Sequence, residues 1–233
     1  MINRKRWFDR KLPSDPKDLP KFVFGAAKYL EKNGVIVDGL FRVHSSKELD
    51  SKAKEEIEKS SSGNLNFSKY PVHTTASMLK LYLENLPEPL FTYEQYRVFV
   101  KASVIPEGEE RINTIRAVIL LLPLTNQMLL KELSKLLSVI ANNYELTKMN
   151  STNLAIIFSS NLLLTEAPQT FQESMKESQY ATSLMKTLIE ESGRIFEAND
   201  GEHEDVEDAE ILLFSKKKKR NMSLFSKLVK GKW

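Results

Sequence analysis

Residues 126–143 read NQMLLKELSKLLSVIANN and carry the clearest secondary-structure signal in the chain. Their apolar side chains recur at steps of three and four residues, which places them on one face of a helix. This apolar stripe consists of Leu129, Leu130, Leu133, Leu136, Leu137 and Ile140. Similar stripes in residues 22–30 and 78–86 predict two more amphipathic helices, each with one buried face and one charged face.

Helix-breaking residues are few, which extends the helical prediction to the whole body of the chain. Glycine accounts for only 8 of the 233 residues, and six of the nine prolines come before residue 90. This usage argues against a β-sandwich or a glycine-rich α/β fold and predicts an all-α fold with a single multi-helix domain. Pro87 and Pro89 should end the helix that contains Leu83, because proline lacks a backbone donor and clashes with the preceding turn.

Length and composition narrow the class of protein. With 233 residues, 41% hydrophobic and 28% charged, the chain can build one sizeable core. The absence of cysteine excludes disulfides, thiolate metal sites and cysteine nucleophiles, and it fits the cytoplasm or nucleus. No apolar stretch follows the basic N-terminus, so no secretory signal is expected. The longest strongly apolar run, residues 118–124, is too short to span a bilayer.

The net charge of +3 conceals two oppositely charged blocks at the C-terminal end. Residues 196–210 hold eight acidic and no basic side chains, whereas residues 211–233 hold eight basic and no acidic ones. Blocks of like charge repel themselves and seldom fold alone, so the globular domain is expected to end near Phe196. The predicted organisation is a basic lead-in, a helical domain, an acidic linker and a basic amphipathic tail, at residues 1–18, 19–196, 197–210 and 211–233.

The chain lacks the sequence signatures of several common enzyme classes. It contains no phosphate-binding loop, no dinucleotide-binding glycine motif and no Gly-x-Ser-x-Gly elbow, which argues against self-contained nucleotide, dinucleotide or esterase chemistry. Its three histidines, His44, His73 and His203, do not have the spacing of metal ligands. We therefore expect no metal site.

The run Gly-Leu-Phe-Arg-Val at residues 39–43 is the strongest candidate for function. Arg42 lies between large apolar residues that are expected to pack inward while the guanidinium points out, and these are Leu40, Phe41 and Val43. Such a loop would preorganise a cation for delivery to a partner. The alternative is a loop arginine that pairs with a local carboxylate, Asp38 or Glu48.

Four blocks of sequence, in this order, resemble the Rho GTPase-activating (RhoGAP) domain family. The first, residues 20–43, contains YLE-x-NG followed by DGLFRV, and the second, residues 79–90, reads LKLYLENLPEPL. The third, residues 148–163, contains KM, NLAIIF and NLL, and the fourth, residues 188–196, begins with Leu-Ile and ends with Ile-Phe. The resemblance covers the chain from about residue 20 to residue 196 and implies the helical fold of that family.

The resemblance also implies roles for individual residues. Arg42 would be an arginine finger, supplied in trans to a Rho-family small GTPase in its GTP-bound form. Lys80 would support the finger loop and face the GTPase, Asn161 would contact the GTPase switch region, and Lys148 would be a supporting contact. GTP and Mg²⁺ would be held by the GTPase, so the chain would have no cofactor of its own and would not be a self-contained enzyme. The residues expected to support the structure are Gly39, Phe41, Pro87, Pro89 and the buried polar residue Asn153.

Other interpretations of the polar candidates stay open from the sequence. Lys80 is also placed to pair with Glu84, four residues later, as an ordinary surface ion pair. Asn161 also suits the end of a helix, where a polar side chain satisfies backbone groups. Lys148, as a lone lysine, also suits a solvated surface position.

The chain departs from the family pattern at three places. Glu84 stands where the family usually has arginine, and His44 with Ser45 stands where it commonly has serine and glycine. Ser159 and Ser160 replace the usual Gly-Pro before Asn161. Two functions therefore remain: a GTPase-activating protein, and a GTPase-binding adaptor that does not stimulate hydrolysis.

The basic tail suggests a separate interaction. Its cluster consists of Lys216, Lys217, Lys218, Lys219 and Arg220, and apolar residues interleaved with lysines follow it. Such a segment suits an amphipathic helix on an anionic membrane surface, which would recruit the protein to lipids. A nuclear import signal, a nucleic-acid contact and a solvated tail that pairs with the acidic linker are the alternatives, and nucleic acid is the less favoured partner. Without a sustained heptad array, a monomer is expected.

Overall fold

The computed structural model describes residues 7–166 and 170–196, and this part of the chain is helical with no β-strand. Two short 3₁₀ turns lie at Pro16–Asp18 and Phe67–Lys69. The α-helices, in chain order, are α1 (Phe22–Asn33), α2 (Lys47–Lys59), α3 (Val72–Glu84), α4 (Tyr96–Val104), α5 (Glu109–Ile119), α6 (Leu124–Asn142), α7 (Tyr144–Thr147), α8 (Ser151–Leu162), α9 (Phe171–Glu190) and α10 (Ser192–Phe196). The predicted all-α fold is confirmed.

The three helices predicted from apolar stripes are all present. The stripe of residues 126–143 lies on α6, which starts directly after Pro123 and buries every stripe residue. α1 ends where Gly34 takes the C-cap position, and a Cβ there would lie 2.6 Å from the Leu30 carbonyl oxygen and 2.7 Å from Leu40 Cδ2. α3 ends at Glu84, before Pro87, as the proline pattern predicts.

The hydrophobic core is built around α6, which contacts α1, α8, α9 and α10. The most extensive helix pair is α8 with α9, and α3 packs between α1 and α2. The lead-in contributes to this core: Phe8 is 1% exposed and stacks on Phe22 at 5.7 Å between ring centroids, while the carboxylate of Glu58 accepts hydrogen bonds from the backbone of Trp7 and Phe8. Residues 7 and 8 therefore pack with the helical domain.

The connection after α3 fixes the C-terminal end of that helix beside the C-terminal end of α8. The Phe91 backbone N–H donates to the Leu162 carbonyl at 3.1 Å, and the Asn126 side chain donates to the Leu90 carbonyl at 2.8 Å. Pro89 is buried, and its carbonyl accepts from Thr92 at 2.8 Å. The first two of these bonds connect segments that are far apart in sequence, and together they hold two helix ends that carry candidate site residues.

Several predictions fall on segments that the structure leaves undescribed. Residues 1–6, the linker 197–210 and the tail 211–233 with its cluster Lys216–Arg220 lie outside the described residues. The described chain reaches α10 and Phe196, and the predicted domain boundaries stay predictions. Among the residues described, no helix has the length and apolar character that crossing a membrane requires.

Candidate functional site

The loop between α1 and α2 carries Arg42 in a tight turn. Gly39 has a positive φ of 65°, and its carbonyl accepts hydrogen bonds from the backbone N–H groups of Arg42 and Val43, both at 2.8 Å. The Gly39 N–H donates to the Thr147 carbonyl at 2.7 Å, which anchors the turn to α7. Glycine is favoured here because the left-handed region has no steric cost without a Cβ.

Phe41 anchors the same turn to the hydrophobic core. It has a φ of 68°, which is rare for a bulky residue and costs of the order of 1–3 kcal/mol. Its ring is 4% exposed and meets the ring of Phe158 edge to face, with centroids 5.0 Å apart. Burial of this ring and its contact with α8 offset the backbone strain. Leu40 is also fully buried, so two adjacent side chains fasten the loop to the core.

Arg42 projects from this anchored turn to the surface. Its side chain is 52% exposed, and its Nη2 lies 3.5 Å from Oδ1 of Asp38, which is itself 70% exposed. The local pairing considered from the sequence is therefore present, but an exposed pair at this distance contributes little. The prediction that Val43 packs inward is wrong, since Val43 is 49% exposed. The turn closed by Gly39 directs only Leu40 and Phe41 into the core.

Lys80 lies half-buried on α3, beside a carboxylate that the sequence analysis missed. That carboxylate is Asp50 of α2, whose pKa is raised by burial, while a hydrogen bond from Ser45 and the charges of His44 and Lys80 oppose the rise. Within the described part of the chain, Lys80 forms no salt bridge with Glu84. The charge of Lys80 therefore acts on Asp50, in the first turn of the helix that follows the finger loop (residues 38–45), and Lys80 is not paired with Glu84.

The finger loop is also bonded directly to α3. The hydroxyls of Ser45 and Thr74 lie 2.7 Å apart and share a hydrogen bond. Asp50 completes this cluster, and one of its carboxyl oxygens is buried without a hydrogen-bond partner. A signal for Asp50 was present in the sequence: it lies three residues before Ala53 and seven before Ile57, which are both fully buried. That spacing places it on the inner face of α2.

Asn161 and Glu84 meet at the two helix ends held together by the Phe91 backbone bond. The side-chain Nδ2 of Asn161, in the last turn of α8, donates to Oε1 of Glu84 at 2.9 Å. Glu84 is exposed and Asn161 is half-buried. The residue that departs from the family pattern therefore contacts a residue that the resemblance assigns to the GTPase interface.

Lys148 and Asn153 form a local turn between α7 and α8. Lys148 has a φ of 56°, is exposed, and its carbonyl accepts from Asn153 Nδ2 at 3.4 Å. Asn150 caps α8 by accepting from the Asn153 backbone at 2.8 Å. The prediction that Asn153 is a buried polar residue is wrong, because it lies at the exposed start of α8 and is only half-buried. It shapes the turn that presents Lys148.

These contacts connect the finger loop to the three segments that carry Lys148, Lys80 and Asn161. Gly39 bonds to α7 next to Lys148, Ser45 bonds to α3, which carries Lys80, and Phe41 packs on α8, which carries Asn161. Exposed apolar side chains on or beside the same segments suit contact with a protein partner, and these are Ile36, Val43, Leu146 and Ile156. Across residues 7–166 and 170–196, no cluster of three acidic or histidine side chains could hold a metal ion.

Comparison with known proteins identifies the family to which this arrangement belongs. The family model of the RhoGAP domain matches residues 20–167, which include the finger loop, Lys80, Lys148 and Asn161. The chain belongs to the RhoGAP domain family. The resemblance to this family is thereby confirmed, and the match includes the first three sequence blocks, whereas the fourth, residues 188–196, lies beyond it.

Relatives and solved structures agree with this assignment. The chain is 29% identical over 188 residues to Rho GTPase-activating protein gacY of Dictyostelium discoideum and 36% identical over 168 residues to Rho GTPase-activating protein 6 of Mus musculus. These alignments cover 79% and 66% of this chain, but it spans only 25% and 17% of the length of those relatives.

Two crystal structures have the same fold as this RhoGAP domain. Human Rho GTPase activating protein 15 matches with a TM-score of 0.74 at 25% identity, over 83% of this chain and 93% of that one. The BH domain from Graf, the GTPase regulator associated with focal adhesion kinase, matches with a TM-score of 0.69 at 25% identity, over 79% of this chain and 97% of that one.

Proposed function

We propose that this RhoGAP domain stimulates GTP hydrolysis by a Rho-family small GTPase in its GTP-bound form, with Arg42 as the arginine finger. The observation that supports the proposal is the placement of Arg42. Its guanidinium is on the surface, while the two preceding residues, Leu40 and Phe41, fix its backbone to the core. A guanidinium on such an anchored loop can enter the active site of a partner at little entropic cost, because the loop is already ordered.

The chemistry takes place in the active site of the partner. The GTPase holds GTP and Mg²⁺, and negative charge develops on the transferring phosphoryl group. An arginine supplied in trans stabilises that charge and is worth about 10³ to 10⁵ in rate. Leaving Asp38 costs Arg42 little, since exposed ion pairs contribute about 0.2–1 kcal/mol. The RhoGAP domain itself needs no cofactor and forms no covalent intermediate.

The other site residues support the finger and the interface. The charge of Lys80 acts on Asp50, which accepts a hydrogen bond from Ser45 of the finger loop, so Lys80 would support the loop and face the GTPase. Asn161, in the last turn of α8, and Lys148, in the turn before α8, would add contacts with the GTPase. Their contacts would set the affinity for the GTPase, whereas Arg42 would set the rate of the chemical step.

Single-turnover GTP hydrolysis by a panel of Rho, Rac and Ras GTPases tests this proposal. The intact protein should accelerate at least one Rho-class member by orders of magnitude. Arg42→Ala should lose about 10³-fold or more of that acceleration while binding to the GTP-bound GTPase survives. Arg42→Lys should lose most of it as well, because an ammonium lacks the planar fork of donors. Arg97→Ala removes an exposed arginine of α4 and is the matched control.

The outcomes separate this function from the second candidate. Acceleration that is unchanged in Arg42→Ala would contradict the finger assignment. Binding to a GTP-bound GTPase without any acceleration of hydrolysis would favour the adaptor function. The observation behind this second candidate is the contact between Glu84 and Asn161, which puts an acidic group at the proposed GTPase interface.

A further inference from the structure

The contact between Glu84 and Asn161 lies where the C-terminal ends of two helices are joined by hydrogen bonds. The Phe91–Leu162 backbone bond holds the ends of α3 and α8 together, and the Asn126 side chain fastens the intervening segment through the Leu90 carbonyl. The ends of the two helices are therefore held close together, which brings the side chains of Glu84 and Asn161 within hydrogen-bond distance of each other.

Stability of α3 does not account for an acidic residue at position 84. Glu84 is the last residue of α3, where the negative end of the helix dipole disfavours a carboxylate. The C-terminal carbonyls of this helix are served by Asn85, whose backbone and side-chain N–H groups both donate to the Leu81 carbonyl at 3.0 and 2.7 Å. Lys80, four residues earlier, forms no salt bridge with Glu84 within the described segments.

The chemistry of the pair decides which groups face a partner. A carboxylate only accepts hydrogen bonds, so the Asn161 amide must turn its NH₂ group toward Glu84 and its carbonyl oxygen away. The pair then presents two acceptors, Oδ1 of Asn161 and the second carboxyl oxygen of Glu84, while the second N–H of the amide is its one remaining donor. Acceptors with a net negative charge fit a lysine or arginine of the partner and repel an acidic one.

We propose that Glu84 is a specificity-determining residue: it orients the Asn161 amide and selects GTPases that place a basic side chain opposite the pair. This inference rests on the proposed function of the domain. Changes at position 84 leave Arg42 in place, so Glu84 acts on recognition of the GTPase. Substitutions of Glu84 should therefore alter KM and the order of preference among GTPases, and not kcat.

Three substitutions at position 84 separate orientation from charge. Glu84→Gln keeps an acceptor for Asn161 but removes the charge, Glu84→Ala removes both, and Glu84→Arg reverses the charge. Stimulated hydrolysis is measured for each GTPase of the panel as kcat and KM, at low and moderate salt. Glu110→Arg, the same change on an exposed glutamate of α5, is the matched control.

We expect Glu84→Gln to raise KM several-fold for the preferred GTPase and to flatten its salt dependence, since a rim charge acts mainly through long-range attraction. Glu84→Ala should raise KM further, and Glu84→Arg should change the ratio between the best and poorest GTPase by about tenfold or more. All three should leave kcat near that of the intact protein, and Glu110→Arg should leave both constants unchanged.

A partner-side exchange completes the test. Replacing the facing basic residue of the preferred GTPase with glutamate should weaken stimulation by the intact protein, and Glu84→Arg should restore it. Equal KM values and equal ranking for all Glu84 variants would overturn the inference, as would a Glu84→Arg variant that improves every GTPase alike. If the intact protein stimulates no GTPase, the proposed function fails, and binding of the GTP-bound panel by the same variants still decides the role of Glu84.

Discussion

Gly39 contributes both its backbone torsion angle and its backbone hydrogen bonds to the structure of the finger loop. Its positive φ closes the turn, its carbonyl accepts from Arg42 and Val43, and its N–H bonds to Thr147. A Cβ at this position would lie 2.6 Å from Val43 Cγ2, closer than non-bonded carbons approach. Any side chain therefore adds a clash to the strain of a left-handed backbone.

We predict that Gly39→Ala reduces stimulated GTP hydrolysis by about 10- to 100-fold, because the turn that aims Arg42 must shift. It should also lower the free energy of unfolding by about 1–3 kcal/mol. Gly63→Ala is the control: it has a φ of 61°, its Cβ would lie 2.4 Å from Pro20 Cβ, and it is remote from the finger loop. Urea unfolding and single-turnover hydrolysis measure the two effects separately.

The two alanine variants should both be less stable, but only Gly39→Ala should lose activity in the folded state. If Gly63→Ala loses as much activity at a temperature where both variants are folded, general destabilisation explains the effect and the turn at Gly39 has no special role.

At this scale, the sequence predicts which residues lie in the finger loop better than where their side chains point. The pattern of residues 39–43 predicts an exposed Arg42 and a buried Phe41, because an arginine between large apolar residues has few other arrangements. It does not predict that Val43 turns outward, since the turn depends on positive φ angles at Gly39 and Phe41 that the residue pattern does not reveal. The composition and spacing of residues 39–43 do not indicate that a phenylalanine takes a positive φ.

Helix α2 brings a carboxylate to the boundary between core and surface. Asp50 lies beside buried Ala53, with Ser45, His44 and Lys80 as its polar neighbours, and its pKa is raised chiefly by burial. The folded state therefore binds a proton at Asp50 more tightly than the unfolded chain, whose aspartate pKa is about 3.9. Ionised Asp50 is unfavourable for folding at neutral pH, and this cost disappears as pH falls below the unfolded value.

We predict that Asp50→Asn raises the free energy of unfolding at pH 7 and that most of this gain is lost at pH 3.5, where Asp50 is mostly protonated in both states. Asparagine keeps an oxygen that accepts from Ser45. Glu48→Gln on the same helix is a control of opposite sign, because the hydrogen bond and charge of Lys52 lower the pKa of Glu48. Its contribution is present above pH 4.3 and is lost as pH falls, so Glu48→Gln should not stabilise at pH 7.

Urea denaturation of both variants and of the unsubstituted protein at pH 7 and pH 3.5 gives the change in the free energy of unfolding for each variant at each pH. A loss of stability in Asp50→Asn at pH 7 would mean that attraction to His44 and Lys80 outweighs burial, and the assignment of Asp50 as an unfavourable buried charge would then be wrong.

Individual helices were predictable where one apolar stripe dominates, as in α1, α3 and α6. Contacts between helix ends were not. Glu84 and Asn161 are 77 residues apart in the chain, and only the packing of α3 against α8, with the bond between Phe91 and Leu162, brings them within 2.9 Å. Hydrophobic periodicity does not show which helix ends lie together. The sequence resemblance therefore identified both residues as candidates but did not predict that they contact each other.

The whole chain combines a nearly neutral helical domain with an acidic linker and a basic tail. The tail lies outside the described residues, and its sequence alone supports a second proposal: residues 211–233 bind anionic lipid surfaces. Its apolar residues are interleaved with lysines after the basic cluster of residues 216–220. Lipid binding by this segment would concentrate the RhoGAP domain at membranes, where its collisions with a membrane-bound GTPase would be more frequent.

We predict that the full chain co-sediments with vesicles containing phosphatidylserine and not with phosphatidylcholine vesicles, and that removal of residues 211–233 abolishes this binding. Each basic residue near an anionic surface contributes about 1 kcal/mol, so replacing the five basic residues 216–220 with glutamine should weaken binding by at least about 10³-fold. Replacing Leu224, Phe225 and Trp233 with alanine tests apolar insertion, because that change leaves the charge intact. Binding of short RNA or DNA in place of vesicles, with the same loss upon the glutamine change, would contradict the lipid proposal and favour a nucleic-acid contact. Equal sedimentation of the truncated chain would place any lipid contact on the helical domain.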